Sequence, residues 1–363
     1  MSGESIRPSV KAYCLKVPKQ LGEKAIKLST KLDILNGELE ILRDGDYIFI
    51  PLKKSPIEEQ LEEMKREVAQ FEISTCDFYR REKPIRSIVD FLSDKLPPHL
   101  LASVPRSIDF IGDIAIVEVP PELETHKRLI GEAILHVFRR VRSVLAKSSA
   151  ISGVYRLREY EVIAGSDKTE TVHKEYGCKY HLDPRKVYFS PRLSYERYRV
   201  ASQVSEGETV IDMFAGVGPF SILIAKVRRN LLVYAVDINP NAIEYLTKNV
   251  YVNNVYGRVI PILGDTRDII RSRLRGVADR VIMNLPERAI EYIDAACLAI
   301  KPSGGVIHYY EFSESPYVTE DAKERISEAI KGAGRRMEAI LSERSVKEVA
   351  PFKWQIAVDI KIQ

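Results

Sequence analysis

From about residue 201 onward, short apolar runs alternate with amphipathic ones, and that rhythm constrains the fold more than any other feature of the chain. "TVIDMF", "LLVYAVDI", "RVIPIL", "DRVIMN" and "GGVIHYYEF" read as strands, with "PFSILIAKV", "NAIEYLTKNV", "RDIIRSRLR" and "AIEYIDAACLAI" as the helices between them. A strand that is apolar throughout has to be covered on both faces, and a helix that carries the chain back makes successive strands parallel. The expectation for 201–363 is a doubly wound, Rossmann-like α/β sheet. Two closing strands, "RSVKEVA" and "WQIAVDIKI", extend one edge.

The residues before 201 lack that rhythm. "AYCLKVP" and "DYIFIPLK" read as strands flanking a helical stretch, a small α/β module. "SPIEEQLEEMKREVAQF" follows, with Ser55 as N-cap, Pro56 in the first helical position, and Ile57, Leu61, Met64, Val68 and Phe71 at helical spacing. It reads as a charged connecting helix that closes a first domain at residue 71. Residues 72–200 mix strands ("DIAIVEV", "VYRLREYEVIAG", "KVYFS") with a helix ("HKRLIGEAILHVFRRVRSVL"), a middle α+β domain. A chain of 363 residues is long enough for such a three-part division.

No apolar run is long enough to span a bilayer and no N-terminal signal pattern is present, so a soluble, cytoplasmic protein with no membrane partner is expected. Cys14, Cys76, Cys178 and Cys297 are scattered without a CxxC pair, which argues against a disulfide framework and a structural metal. Net charge is only +4, but "YRREKPIR" (79–86) and "RRVRSVLAK" (139–147) concentrate basic residues. Each alone reads as a solvated helix face; together they favour an anionic partner.

In an open parallel sheet the ligand sits beyond the carboxyl ends of the strands. Here those ends carry "DMFAGVGPFS" with Gly216 and Gly218, "VDINP" with Asp237, "LGDTRD" with Asp265, and Asn284-Leu285-Pro286. Asp237 is placed to accept from two ribose hydroxyls, and Asp265 to receive an adenine amino group. A nicotinamide oxidoreductase wants a third glycine three residues after Gly218, and Ser221 stands there. The set of strand ends instead resembles the S-adenosyl-L-methionine-dependent methyltransferases.

Methyl transfer aligns a lone pair with the sulfonium methyl. Amino-methylating enzymes hold their amine with N/D-P-P-Y/F, whereas this chain has Leu285 between Asn284 and Pro286 and Glu287 in the aromatic position. A proton-bearing ring nitrogen such as guanine N1 suits the chain better. It calls for a general base and a donor to the neighbouring carbonyl oxygen. "KVYFSPRLSYERYRV" offers Tyr188, Arg192, Glu196 and Arg197, with Arg192 and Glu196 on one helical face as a pair. "SGVYRLREYEV" offers Arg156 and Arg158 on an alternating strand. The plain alternatives are a surface ion pair worth about 0.3–0.5 kcal/mol and the polar face of a half-buried sheet.

Taken together, "DMFAGVGPFS", "VDINPNAIEYLTKN", "PILGD", "RVIMNLPERA", "VYFSPRLSYERYR" and "VYRLREYEVIAG" resemble the archaeal and eukaryotic tRNA (guanine-N1)-methyltransferases that modify guanosine 37. The archaeal branch with a small separate first domain is the most similar. The resemblance implies S-adenosyl-L-methionine as cofactor, tRNA with guanosine at position 37 as partner, and a monomer. It implies Glu196 as general base, Arg156 as stabiliser of guanine O6, and Asn284 and Pro286 as holders of the base. Phe214, Gly216, Asp237, Ile238, Asp265, Thr266, Asn284 and Arg197 match positions around the cofactor, and Tyr188 and Arg192 match the substrate pocket. On the same resemblance the first module touches the outer corner of the tRNA. Tyr195 either stacks or packs. An aminocarboxypropyl transferase of wybutosine synthesis, a methyltransferase that also acts on the tricyclic intermediate, a nicotinamide enzyme and a non-catalytic tRNA-binding protein are the alternatives.

Overall fold

Apolar strands need partners before they need neighbours in sequence, and this decides where the chain divides. The computed structural model describes residues 8–81, 85–150 and 153–363, which separate into two compact units at Ile85/Arg86. In the first, β1 (Ser9–Pro18), β2 (Leu42–Asp44), β3 (Tyr47–Pro51) and β4 (Glu72–Tyr79) form one antiparallel sheet in the order β2-β3-β1-β4. β4 pairs with β1 from Ser9↔Tyr79 to Lys16↔Glu72. The boundary expected at residue 71 therefore falls after this strand, because without it the whole edge of β1 would lack a hydrogen-bonding partner. Helices α1 (Gly22–Lys31) and α2 (Glu58–Glu67) complete the unit. α2 begins after Pro56, where the Gln60 side chain accepts from Ile57 N–H at 3.0 Å. Met64 and Val68 are buried against Leu15, Val17 and Ile50, so α2 belongs to this core and is not a connector.

The second unit opens with two short helices, α3 (Ile88–Leu92) and α4 (Pro98–Ala102), and a four-stranded sheet of β5 (Ile108–Ile111), β6 (Ile114–Val117), β7 (Ser143–Lys147) and β8 (Tyr160–Gly165). β6 and β7 are parallel, bridged by α5 (Lys127–Val137). The helix expected through residue 145 stops at Val137 because Val144 and Leu145 are needed, fully buried, in β7. Arg139, Arg140 and Arg142 thus lie exposed in a turn, not on a helix. Of the other basic run, residues 82–84 lie outside the described residues.

A hairpin, β9 (Thr171–Glu175) and β10 (Cys178–Leu182), leads to α6 (Ser194–Gln203). Then comes the doubly wound sheet: β11 (Thr209–Asp212), α7 (Pro219–Val227), β12 (Leu232–Asp237), α8 (Pro240–Val252), β13 (Val259–Leu263), α9 (Thr266–Arg273), β14 (Arg280–Met283), α10 (Ile293–Ala299), β15 (Gly305–Ser313), α11 (Glu320–Gly332), β16 (Met337–Ala350) and β17 (Lys353–Ile362). The order is β13-β12-β11-β14-β15-β17-β16, parallel through β15 and antiparallel at the two closing strands. Among the described residues no helix is long and apolar enough to cross a membrane.

Two buried asparagines hold the hairpin against this sheet. Asn253 accepts from Lys179 N–H (2.8 Å) and donates to its carbonyl (2.7 Å). Asn249 does the same with His181 (2.7 and 3.1 Å). The two amides replace a missing strand partner for β10, and so fix the segment 183–193 over the sheet.

Candidate active site

A cavity of about 390 Å³ lies beyond β11, β12, β13 and β14, at the strand ends where the sequence places a ligand. Phe214, Gly216, Asp237, Ile238, Asp265, Thr266 and Asn284 line it from the sheet side. Tyr188, Phe189, Ser190, Leu193, Arg197 and the turn from Gly153 to Arg156 close it from the other. Ten of the expected site residues, Arg156, Tyr188, Arg197, Phe214, Gly216, Asp237, Ile238, Asp265, Thr266 and Asn284, therefore face one space.

The glycine turn is built for that space. Gly216 has φ +55° and Gly218 φ +84°. A Cβ on Gly218 would come within 2.2 Å of Leu246 Cδ1, so this glycine lets α7 pack on α8. Ser221 is fully buried and donates to Asp212 at 2.8 Å. Asp237 Oδ2 accepts from Gly216 N–H (2.7 Å) and Oδ1 from Asn239 N–H (2.9 Å), and each oxygen keeps a second lone pair. Burial pushes the Asp237 carboxyl up against these bonds, and its neighbour Asp212 is raised by burial to about 7. Asp265 caps α9 by accepting from Arg267 N–H. Ile238 remains 40% exposed, an apolar platform on the cavity wall. Opposite, Phe214 meets Tyr292 edge-on at 5.1 Å, and the Arg267 guanidinium lies 3.9 Å from the Tyr292 ring.

Arg197 is committed to structure as well as to the cavity. It donates to Glu175 (2.6 Å) and to Ser190 C=O (2.7 Å), and its buried Nε has no partner. Thr266 Oγ1 is likewise buried and unpartnered. Orphan polar atoms at a cavity wall are what an absent polar ligand would satisfy. The space suits a nucleoside-sized group, since small-molecule sites run roughly 300–1,000 Å³.

Arg156 was expected on a strand and sits instead in a turn, with φ +56°. For a non-glycine residue that conformation is costly and points to function. Its guanidinium lies 5.1 Å from the Tyr188 ring centroid and donates to Glu287 at 3.2 Å. "KVYFS", expected as a strand, is an irregular segment whose Tyr188 and Phe189 turn to the cavity.

A second cavity of about 180 Å³ shares Arg156, Tyr188, Phe189, Ser190 and Glu287 with the first. Its wall includes Lys147, Arg158, Arg192 and Lys347 besides Arg156, against Asp109, Glu287 and Glu348. Arg192 donates to Asp109 (2.6 Å) and Ser107 (2.7 Å), so the expected Arg192–Glu196 pair does not form. Lys347 donates to Ser190 Oγ at 3.1 Å. Among the described residues no carboxylate comes within ion-pair distance of it, and burial lowers its pKa to about 8.

Glu196 and Pro286 depart from expectation. Pro286 lines neither cavity; it is buried, and its carbonyl accepts from Phe312 N–H at 3.1 Å. Glu196 is 1% exposed and lines neither cavity. It accepts from Arg199 (2.7 and 3.1 Å) and from the Tyr310 hydroxyl (2.8 Å), with Arg344 at 3.6 Å. Arg199 also binds Asp359, which accepts from His308 Nδ1 at 2.6 Å. Arg280 can only donate to His308 Nε2 (2.9 Å), so the histidine proton is on Nδ1. Despite burial, the Arg199 and His308 bonds hold the Asp359 carboxyl well below the usual range. The buried Glu196 carboxylate is thus paired within α6 with Arg199, one turn along the helix.

Sequence reasoning missed Lys347, Gln355, Glu287, Arg267 and Tyr292. Only Glu287 carried a signal, standing where an aromatic was expected. Tyr195 is 61% exposed, with the Arg344 guanidinium 4.9 Å from its ring centroid.

Three family models match: a TRM5/TYW2 methyltransferase domain over residues 171–338, a TYW2 N-terminal domain over 88–169, and a tRNA methyltransferase 5 N-terminal domain over 14–61. The chain is 43% identical to the tRNA (guanine(37)-N(1))-methyltransferase Trm5b of Pyrococcus abyssi, covering 96% of this chain and 98% of that protein. It is 36% identical to a tRNA(Phe) (4-demethylwyosine(37)-C(7)) aminocarboxypropyltransferase of Methanocaldococcus jannaschii, covering 70% of this chain and 96% of that one. Among solved structures, a complex of aTrm5 with tRNALeu superposes with a TM-score of 0.77 at 33% identity, over 96% of this chain and 99% of the other.

Proposed function

The chain belongs to the TRM5/TYW2 methyltransferase family, and from that premise we propose that it transfers a methyl group from S-adenosyl-L-methionine to N1 of guanosine 37 in tRNA, beside the anticodon. The observation that carries this reading is the pair of joined cavities. One is shaped for a nucleoside at the strand ends, and the other is lined with cations and reached past Arg156 and Tyr188.

The cofactor, when bound, supplies an electrophilic methyl group. Asp237 would accept from its ribose hydroxyls, Phe214 and Ile238 would flank its base, and Asp265 and Thr266 would meet the base edge. Arg197 holds Ser190 and Phe189 as the opposite wall. The target guanine is flipped out of its stack against Tyr188. Arg156 donates to O6 as charge grows there, and Asn284 meets the base edge on a bend anchored by Pro286. Arg192 and Lys347 face the nucleotide's phosphate. Glu196 takes the N1 proton. For this step its hydrogen bond to Tyr310 and its contact with Arg344 give way to the base, while Arg199 stays paired with it. The first unit touches the outer corner of the tRNA, the middle residues bind RNA and contribute Arg156, and the protein works as a monomer in the cytoplasm.

The aminocarboxypropyl transfer is the second reading. The relative of that name covers 70% of this chain, whereas the first unit matches the tRNA methyltransferase 5 N-terminal domain, which favours methyl transfer. Two tRNA transcripts, with guanosine or adenosine at position 37, decide the matter with methyl-labelled cofactor. Label is expected on the first alone, mapped to N1; label on both or on neither overturns the reading.

Lys347 gives a pH prediction. Its folded-state pKa, about 8, lies below the ordinary 10.5, so its attraction for a phosphate is present below pH 8 and lost as pH rises through it. Affinity for tRNA at fixed salt is expected to fall about tenfold from pH 7 to 9. Lys347→Arg should retain affinity at pH 9. Equal pH profiles for the two proteins would remove Lys347 from the contact.

A further inference from the structure

Asn284 has a partner that no sequence feature announced. Gln355, in β17, is 2% exposed and donates from Nε2 to Asn284 Oδ1 at 3.1 Å. Its place is set by the sheet: it pairs with Phe312 of β15 on one side and Lys347 of β16 on the other. The backbone on either side of Asn284 is also constrained, since Leu285 N–H donates to Met283 C=O (2.9 Å) and Phe312 N–H to Pro286 C=O. With the flanking chain anchored and its carbonyl oxygen held by Gln355, the asparagine keeps its other amide group wholly free for the cavity it lines. That group is the NH₂, which only donates.

We propose that Gln355 is a specificity-determining positioning residue. By holding the Asn284 carbonyl, it obliges the target base to present a hydrogen-bond acceptor at this point. The proposal rests on the methyl-transfer reading above. Guanine meets the requirement with its O6 edge. Adenine, with an amino group in the same place, does not. A site whose polar group is left unpaired by the wrong base rejects it strongly.

The test inverts the amide. In Gln355→Glu the new carboxylate only accepts, so Asn284 must donate to it and turn its own carbonyl to the cavity. Arg156, Arg158 and Lys347 line the cavity that Gln355 borders and offset the added charge. Methyl transfer from labelled S-adenosylmethionine is measured on the guanosine 37 and adenosine 37 transcripts, together with the cofactor Kd. The expected result is a loss of about tenfold or more in kcat/KM for guanosine, a rise in the adenosine-to-guanosine ratio, and a cofactor Kd within about twofold of wild type. A variant that merely loosens the fold would lower both substrates together and leave the ratio unchanged, which overturns the proposal. So does an unchanged guanosine rate, or a loss confined to cofactor affinity. If Gln355→Glu does not fold, Gln355→Leu frees the amide to rotate; the ratio should again rise, and an unchanged ratio is again fatal. Failure of the wild-type protein itself to methylate guanosine 37 is a separate outcome, which overturns the functional reading on which this one stands.

Discussion

Arg156→Ala is expected to slow single-turnover methyl transfer to guanosine 37 by about 10²–10³-fold, the range for losing one preorganised donor to a developing oxyanion. Cofactor affinity should stay within about threefold. The expectation follows from how the side chain is held. A turn with φ +56° places Arg156 between the two cavities, Tyr188 supports its guanidinium, and Glu287 takes one N–H. Its Nε is buried without a partner, so the chain carries the cost of an unsatisfied donor at the point where O6 would arrive. Arg156→Lys keeps the charge and loses the planar fork, and should recover only part of the rate. Rapid-quench assays at saturating tRNA and cofactor, with equilibrium cofactor binding alongside, separate the roles. An unchanged rate at saturation with weakened tRNA binding would reduce Arg156 to a docking contact.

What the sequence disclosed and what it hid divide along physical lines. The doubly wound half was readable because its parallel strands are short, mostly apolar runs separated by helices that carry apolar residues at helical spacing. "PFSILIAKV" is α7 residue for residue. Its strand ends were readable too, since topology alone sends Asp237, Asp265 and Asn284 to one edge. Arg156 was misplaced because "VYRLREYEV" alternates like a strand, yet only its second half finds a ladder, at Tyr160. β4 was assigned to the wrong unit because the pairing that claims it comes from a strand more than fifty residues away. Lys347 and Gln355 were unreadable for the same reason. They reach the site through the antiparallel closure of β16 and β17 on β15, and nothing local in "RSVKEVA" or "WQIAVDIKI" marks them. Glu196 is the reverse case. Its motif is plain in the sequence, but the geometry of its carboxylate depends on Arg199, Tyr310 and Arg344, of which only Arg199 is nearby in the chain.

For Glu196 two roles predict different results from one substitution. Glu196→Gln keeps the shape and an acceptor for the Tyr310 hydroxyl but removes the charge that Arg199 shares with Asp359. Breaking a buried pair in this way costs about 3–5 kcal/mol of stability, reduced here because Asp359 still holds the guanidinium. A purely structural carboxylate would show that loss alone, with the folded protein turning over at nearly the wild-type rate. A proton acceptor adds a loss of about 10²–10⁴-fold in the chemical step. We expect both effects. Tyr310→Phe supplies the internal comparison, since it strips one hydrogen bond from the same carboxylate and leaves its charge. If Glu196 takes the proton, Tyr310→Phe should keep the single-turnover rate within about tenfold of wild type while Glu196→Gln falls by the larger factor. If both variants melt lower but methylate at nearly the wild-type rate, Glu196 belongs to the core, and the base must be sought among the carboxylates that line the two cavities, of which Glu287, already against Arg156, lines both.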